Sequence, residues 1–121
     1  MPGKTIVIAE DNTIDSKILS SVLTARGYQV ITAFDGKAAL EILRNQEVDL
    51  LITDIMMPGY TGIELLWHAR EEKRLPPTLV LTSDKTDETV LATLSGGARD
   101  HLKKPVNVPI LLAKVAQLLQ S

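Results

Sequence analysis

Residues 50–54 read Leu50-Leu51-Ile52-Thr53-Asp54, an apolar run that stops at a carboxylate. Polar residues do not alternate within it, so as a strand it is covered on both faces, the situation of a strand inside a parallel sheet. The pattern recurs along the chain: Thr5-Ile6-Val7-Ile8-Ala9 runs into Glu10-Asp11, Leu79-Val80-Leu81 runs into Thr82, and Lys104-Pro105 lies close behind Leu102. If these runs are parallel strands of one sheet, two acids, a third acid, a hydroxyl and an ammonium emerge together along its carboxyl edge. Open α/β sheets bind their ligands at that edge.

Working outward, β-rich runs alternate with longer segments of helical period from end to end, without a repeat, a low-complexity tract or a long linker. Alternation of this kind predicts an α/β fold with a parallel sheet. The predicted strands cover residues 5–9, 29–33, 49–53, 78–82 and 100–103. The second and fifth are more mixed in polarity and suit the sheet edges. A first helix over 13–26 turns Ile14, Ile18, Leu19, Val22 and Leu23 inward, with Asn12 or Thr13 as its cap and Gly27 as its stop. A second follows Asp35-Gly36 and packs through Ala39, Ile42 and Leu43, and a third follows Gly62 and packs through Ile63, Leu66 and Ala69. The fourth, near 86–95, is rich in threonine, a poor helix former, and ends at Gly96-Gly97. The fifth covers 108–119, with Leu111, Leu112, Val115, Leu118 and Leu119 as its apolar stripe. Trp67 is expected to be partly buried against its helix neighbours, and His68 to be a solvated helix residue.

Composition bounds the function. The chain has 121 residues, 45% of them hydrophobic, enough for one core of ordinary size and too few for two, so residues 1–121 form one domain. Its net charge of −2 and pI of about 5.6 provide no basic footprint for direct nucleic-acid binding. The absence of cysteine excludes disulfide and thiolate-metal frameworks and fits a reducing cytoplasm. No stretch reaches membrane-spanning length, and Met1-Pro2-Gly3-Lys4 lacks the apolar region of a secretory signal, so the expected localisation is cytoplasmic, with no membrane partner.

The acids at the sheet edge carry the chemistry. Glu10 and Asp11 repel each other at close quarters, and a cation removes that penalty. An all-oxygen site with room for water suits Mg²⁺, with Mn²⁺ as an alternative, and not zinc. Asp11 and Asp54 are the expected direct ligands, with Glu10 acting through water. Asp54 is also the expected nucleophile, becoming an acyl phosphate when a phosphorylated donor is aligned with it. Thr82 then donates to a phosphoryl oxygen, and Lys104 opposes the developing charge.

The ordered set Glu10-Asp11-Asn12, Asp54-Ile55-Met56-Met57-Pro58 with Gly62, Leu81-Thr82-Ser83, Gly97-Ala98 and Lys104-Pro105 resembles receiver domains of the two-component response-regulator family over the whole chain. The similarity in extent is to the single-domain chemotaxis regulators. The resemblance implies a doubly wound, flavodoxin-like sheet of order 2-1-3-4-5 flanked by five helices. Helices one and five would lie on one face and two, three and four on the other. It also implies the Met56 backbone carbonyl as a metal ligand and a cis peptide before Pro105. The implied function is a phosphorylation-operated switch, and not an enzyme acting on other substrates. It takes its phosphoryl group from a histidine kinase or phosphotransfer protein and alters the helix 4, strand 5, helix 5 face to control an output partner. Met56 and Asp84 would flank the path of attacking water.

Several residues depart from the family pattern. Ser83 stands where a smaller alanine is usual, and His101 where a switch Tyr or Phe is usual. Arg99 and Ile110 replace acids of a charged dimer face. The expected state is therefore a monomer or a weak phosphorylation-dependent dimer. Two other classes compete. A Mg²⁺-dependent aspartyl-phosphate phosphohydrolase is disfavoured because Asp54 is followed by Ile55-Met56 and not by a second acid two positions on. A receiver that binds partners without phosphorylation is disfavoured because the acids, Thr82 and Lys104 are all present.

Overall fold

The computed structural model describes residues 3–83 and 86–120; Asp84, expected beside the path of attacking water, lies outside the described residues. Five strands and five helices alternate: β1 (Thr5–Ala9), α1 (Thr13–Ala25), β2 (Gln29–Ala33), α2 (Gly36–Asn45), β3 (Leu50–Asp54), α3 (Gly62–Glu71), β4 (Thr78–Thr82), α4 (Asp87–Ser95), β5 (Asp100–Lys103) and α5 (Val108–Gln120). All pairings are parallel and the strand order is β2-β1-β3-β4-β5, as expected, with the mixed strands β2 and β5 at the edges.

Register sorts the apolar side chains between two faces. Ile6 and Ile8 pair with Leu50 and Ile52, Ile52 pairs with Leu79, and Leu81 pairs with Leu102. Because side chains alternate with period two, this whole row points one way. It meets Leu19 and Leu23 of α1 and Leu111 and Val115 of α5. Val7 and Leu51 point the other way, against Ala39, Leu40 and Leu43 of α2 and Leu65 and Ala69 of α3. A smaller cluster on this side joins Val80 and Ile55 to Leu66 and Ala98. Fully burying a side chain of this size contributes roughly 1.5–3 kcal/mol, so the two faces together hold the sheet between its helices and fix where each strand ends.

Three packing expectations need correction. Ile14 and Ile18 of α1 are 68% and 49% exposed, while Ser16 is buried. They form the apolar stripe next to the one that meets the sheet, and apolar character alone does not distinguish two adjacent stripes. On α3 the expected inward residues hold their places, Leu66 and Ala69 buried and Ile63 half-buried against the Val80 cluster, with Leu65 buried beside them. Trp67 is 58% exposed, edge-on to His68 with ring centroids 5.2 Å apart. His68 is half-buried and stacks on Tyr60 at 4.3 Å, so it packs α3 against the loop that precedes it.

Candidate phosphoacceptor site

The site is built where β1, β3, β4 and β5 end. Glu10 is held there by its backbone N–H donating to Ala33 O at 3.0 Å. Asn12 follows in extended conformation and caps α1, its Oδ1 accepting from the Asp15 N–H at 3.0 Å, while the Asn12 N–H donates to Glu10 Oε2 at 3.2 Å. These bonds turn the chain so that Glu10 points under the edge, wholly buried, while Asp11 stands in solvent above it.

Asp54 belongs to the sheet itself. The sequence reading ended the strand at Thr53, but Asp54 is the last residue of β3 and pairs with Leu81. The ladder therefore anchors its backbone, and only 9% of the residue is exposed. Its Oδ1 accepts from the Ile55 N–H at 2.7 Å, and its Oδ2 accepts from Lys104 Nζ at 2.8 Å. The loop leaving Asp54 is closed by the Gly62 N–H donating to Ile55 O at 2.7 Å. A Cβ at Gly62 would lie 2.2 Å from Asp54 O, so glycine is required there by contact. Gly59, with φ +75°, supplies the left-handed residue of the same loop. Past Gly62, Thr61 and Glu64 close a reciprocal capping box on α3.

Lys104 follows β5 and is joined to Pro105 by the expected cis peptide bond. Its backbone N–H donates to Thr82 O at 2.8 Å, which ties it to the end of β4. Its ammonium reaches Glu10 Oε1 at 2.5 Å and Asp54 Oδ2 at 2.8 Å, and lies 3.6 Å from Asp15 Oδ2. Burial works against the charge of Lys104, but its hydrogen bonds to Asp54 and Glu10 outweigh this and hold its pKa above the ordinary lysine value. Glu10 moves up as well, because burial penalises its carboxylate more than Lys104 and the Asn12 N–H stabilise it.

Ligand atoms of Glu10, Asp11 and Asp54 lie within 4.8 Å of one another. Three carboxylates converging this closely form an all-oxygen donor set of the kind that a hard divalent cation satisfies. The structure thus brings together Glu10, Asp11, Asp54 and Lys104. Thr82 sits beside them at the end of β4 and is nearly buried; Met56, two residues past Asp54, has an exposed side chain. His101, half-buried on β5, pairs with Val80 and is set back from the edge. Sequence reasoning missed Asp15. Its signal was an acid in the first turn of the helix that Asn12 opens, four residues after Asp11.

A cavity of about 450 Å³ opens beside Lys104 between α1 and the β5–α5 connection, with Glu10, Asp15, Ile18, Pro105 and Val106 in its lining. Residues 6–116 match the family model described as the response regulator receiver domain. The chain belongs to the response-regulator receiver family. This receiver is 34% identical over 116 residues to the transcriptional regulatory protein AfsQ1 of Streptomyces coelicolor, a match covering 96% of the chain and 51% of the relative. To the uncharacterized transcriptional regulatory protein YrkP of Bacillus subtilis it is 39% identical over 114 residues, covering 93% of the chain and 48% of the relative. It therefore spans about half the length of these curated relatives. Among solved structures, the chemotaxis response regulator CheY4 of Vibrio cholerae superposes with a TM-score of 0.90 at 29% identity, covering 97% of this chain and 99% of that one. The receiver domain of the Francisella response regulator 1452 gives 0.93 at 27% identity, covering 98% of each. Among the described residues, no helix of the receiver is long and apolar enough to cross a membrane.

Proposed function

We propose that this receiver is a cytoplasmic phosphoacceptor switch in which Asp54 takes a phosphoryl group from the phosphohistidine of a sensor kinase or phosphotransfer protein. The observation that carries the reading is the Lys104 ammonium hydrogen-bonded to Asp54 at the same edge where Glu10 and Asp11 converge. An Asp54 carboxylate oxygen attacks phosphorus; the O–P bond forms as the N–P bond to the donor imidazole breaks, and the imidazole leaves with a proton from water. Lys104 opposes the charge that spreads over the transferring oxygens. Before the step its ammonium is hydrogen-bonded to the attacking carboxylate itself, so it stands next to where that charge develops. Thr82 donates its hydroxyl to a phosphoryl oxygen from the neighbouring strand.

Asp11, Asp54 and the Met56 carbonyl would hold Mg²⁺ or Mn²⁺ directly, and Glu10 through water. Bound there, the cation neutralises the carboxylates and polarises the phosphoryl oxygens. The output is conformational. Thr82 shifting toward the phosphoryl group makes room for His101 to turn inward, and the face formed by α4, β5 and α5 changes for an output protein or domain. The protein is a monomer, or a weak dimer when phosphorylated, and binds neither nucleic acid nor membrane directly.

Mass spectrometry after incubation with Mg²⁺ and acetyl phosphate tests the reading. The wild type gains one phosphoryl group on Asp54, Asp54→Asn gains none, and Asp11→Asn is labelled more slowly at limiting Mg²⁺. Full, site-localised labelling of Asp54→Asn would overturn the assignment. In Thr82→Ala the label remains, but the spectral change at His101 that accompanies it is lost.

A further inference from the structure

Lys104 has more carboxylate partners than the phosphoacceptor reading uses. Two of them, Glu10 and Asp54, are fixed by the ends of β1 and β3 and accept direct hydrogen bonds from its ammonium. The third, Asp15, comes from α1 and approaches Nζ only to 3.6 Å, an ion pair without a hydrogen bond. Its side chain is 45% exposed and stands in the lining of the cavity beside Lys104. The Asp15 carboxylate does no capping: Asn12 caps α1, and Asp15 contributes only its backbone N–H to that bond. Within the described structure, the only charged group Asp15 pairs with is Lys104.

We infer that Asp15 is a positioning residue that draws the Lys104 ammonium toward α1 in the unphosphorylated receiver and so competes with the phosphoryl group for it. The inference rests on Asp54 being the phosphoacceptor. When a phosphoryl group forms on Asp54, Lys104 exchanges its bond to the Asp54 carboxylate for one to a phosphoryl oxygen, and the pull of Asp15 opposes that exchange. Asp15 also adds a negative charge at the mouth through which an anionic donor must come. Both effects slow phosphorylation, and both are electrostatic. Because Asp15 is half exposed, salt screens its share much more than that of the buried Glu10 and Asp54.

The test compares wild type, Asp15→Asn and Asp15→Glu for the rate of Asp54 labelling by acetyl phosphate at saturating Mg²⁺, at low and high salt. Asp15→Asn keeps the size and the backbone bond of Asp15 and removes only its charge. It is expected to react about fivefold faster at low salt, the scale of one exposed ion pair. The gain should shrink to less than about twofold in 0.5 M salt, where the screening length falls to a few ångström. Asp15→Glu should return to the wild-type rate and salt dependence. An unchanged rate in Asp15→Asn, or a gain of the same size at both salts, overturns the inference. The Lys104 ¹⁵Nζ resonance of the unphosphorylated protein provides a second readout that needs no phosphorylation. It shifts in Asp15→Asn if Asp15 holds the ammonium, and an unmoved resonance rejects the tether. If the wild type is not labelled on Asp54 at all, the phosphoacceptor reading fails and this resonance alone decides the role of Asp15.

Discussion

Glu10 is wholly buried and ionisable, and the physics at this one residue sets the stability of the site against its function. Its only cationic partner among the described residues is Lys104, which it shares with Asp54 and Asp15. Burial raises the pKa of Glu10, with the charge of Asp54 adding to the effect. A carboxyl group whose folded pKa lies above its unfolded value binds more protons folded than unfolded between the two. Stability therefore falls as pH rises through that window, and the cost is fully present above the folded value. Lys104 is also raised, but its contribution is present throughout the neutral range and is lost only above the ordinary lysine pKa. Glu10→Gln keeps the shape of the side chain and an acceptor for Lys104 while removing the penalised charge. It is expected to stabilise the protein slightly at neutral pH, because Lys104 keeps Asp54 as its partner, and to weaken Mg²⁺ binding. Urea unfolding at neutral pH and near pH 4 checks this: the advantage over wild type should shrink in acid, and an advantage independent of pH would remove the electrostatic cause.

At the scale of elements, the site depends on a strand and a loop that cannot move apart. β3 carries Asp54 in its ladder, and the loop to α3 folds back until Gly62 touches the Asp54 backbone. Gly62→Ala places a Cβ 2.2 Å from Asp54 O, a contact that only a backbone shift relieves. The expected cost is about 2 kcal/mol, within the range for overpacking, together with slowed labelling of Asp54. Thermal unfolding and the labelling rate measure the two effects; an unaltered rate with an unaltered midpoint would show that the loop relaxes freely. The strands themselves were legible because runs such as Ile6-Val7-Ile8 and Leu79-Val80-Leu81 are covered on both faces and have no helical reading of their length. The residues of the candidate site stood out for the same reason, since Glu10, Asp54 and Thr82 each sit where such a run stops. What the sequence concealed was orientation about helix axes. On α1, Ile14 and Ile18 lie beside the inward stripe of Leu19 and Leu23, and only the sheet decides which stripe it meets. Partner choice was concealed too. Lys104 and Glu10 are 94 residues apart, and their pairing follows from how β1, β3, β4 and β5 line up.

Across the whole molecule, the sheet separates two tasks. Its carboxyl edge holds the acids and Lys104, while α4 and α5 leave large apolar side chains in solvent. Leu91 and Leu94 of α4 are 66% and 43% exposed, and Ile110 of α5 is 47% exposed. Scattered singly, such residues are ordinary on a protein surface; gathered on one face, they mark a contact. These three come from α4 and α5, the helices that border β5, where Thr82 and His101 would transmit the phosphorylated state. Part of the charge near this face is already paired within the chain. Lys114 is engaged within the chain by Asp100 at 2.5 Å. Association through it should therefore be apolar, weak and dependent on the switch. Ile110→Glu puts a charge into that face while leaving the buried stripe of Leu111 and Val115 untouched. Sedimentation velocity with and without beryllofluoride as a phosphoryl mimic is the check. Wild type should sediment faster with the mimic at high protein concentration, and Ile110→Glu should remain monomeric in both states. Identical profiles for the two proteins would leave Ile110 as a packing residue of α5 with no part in the output face.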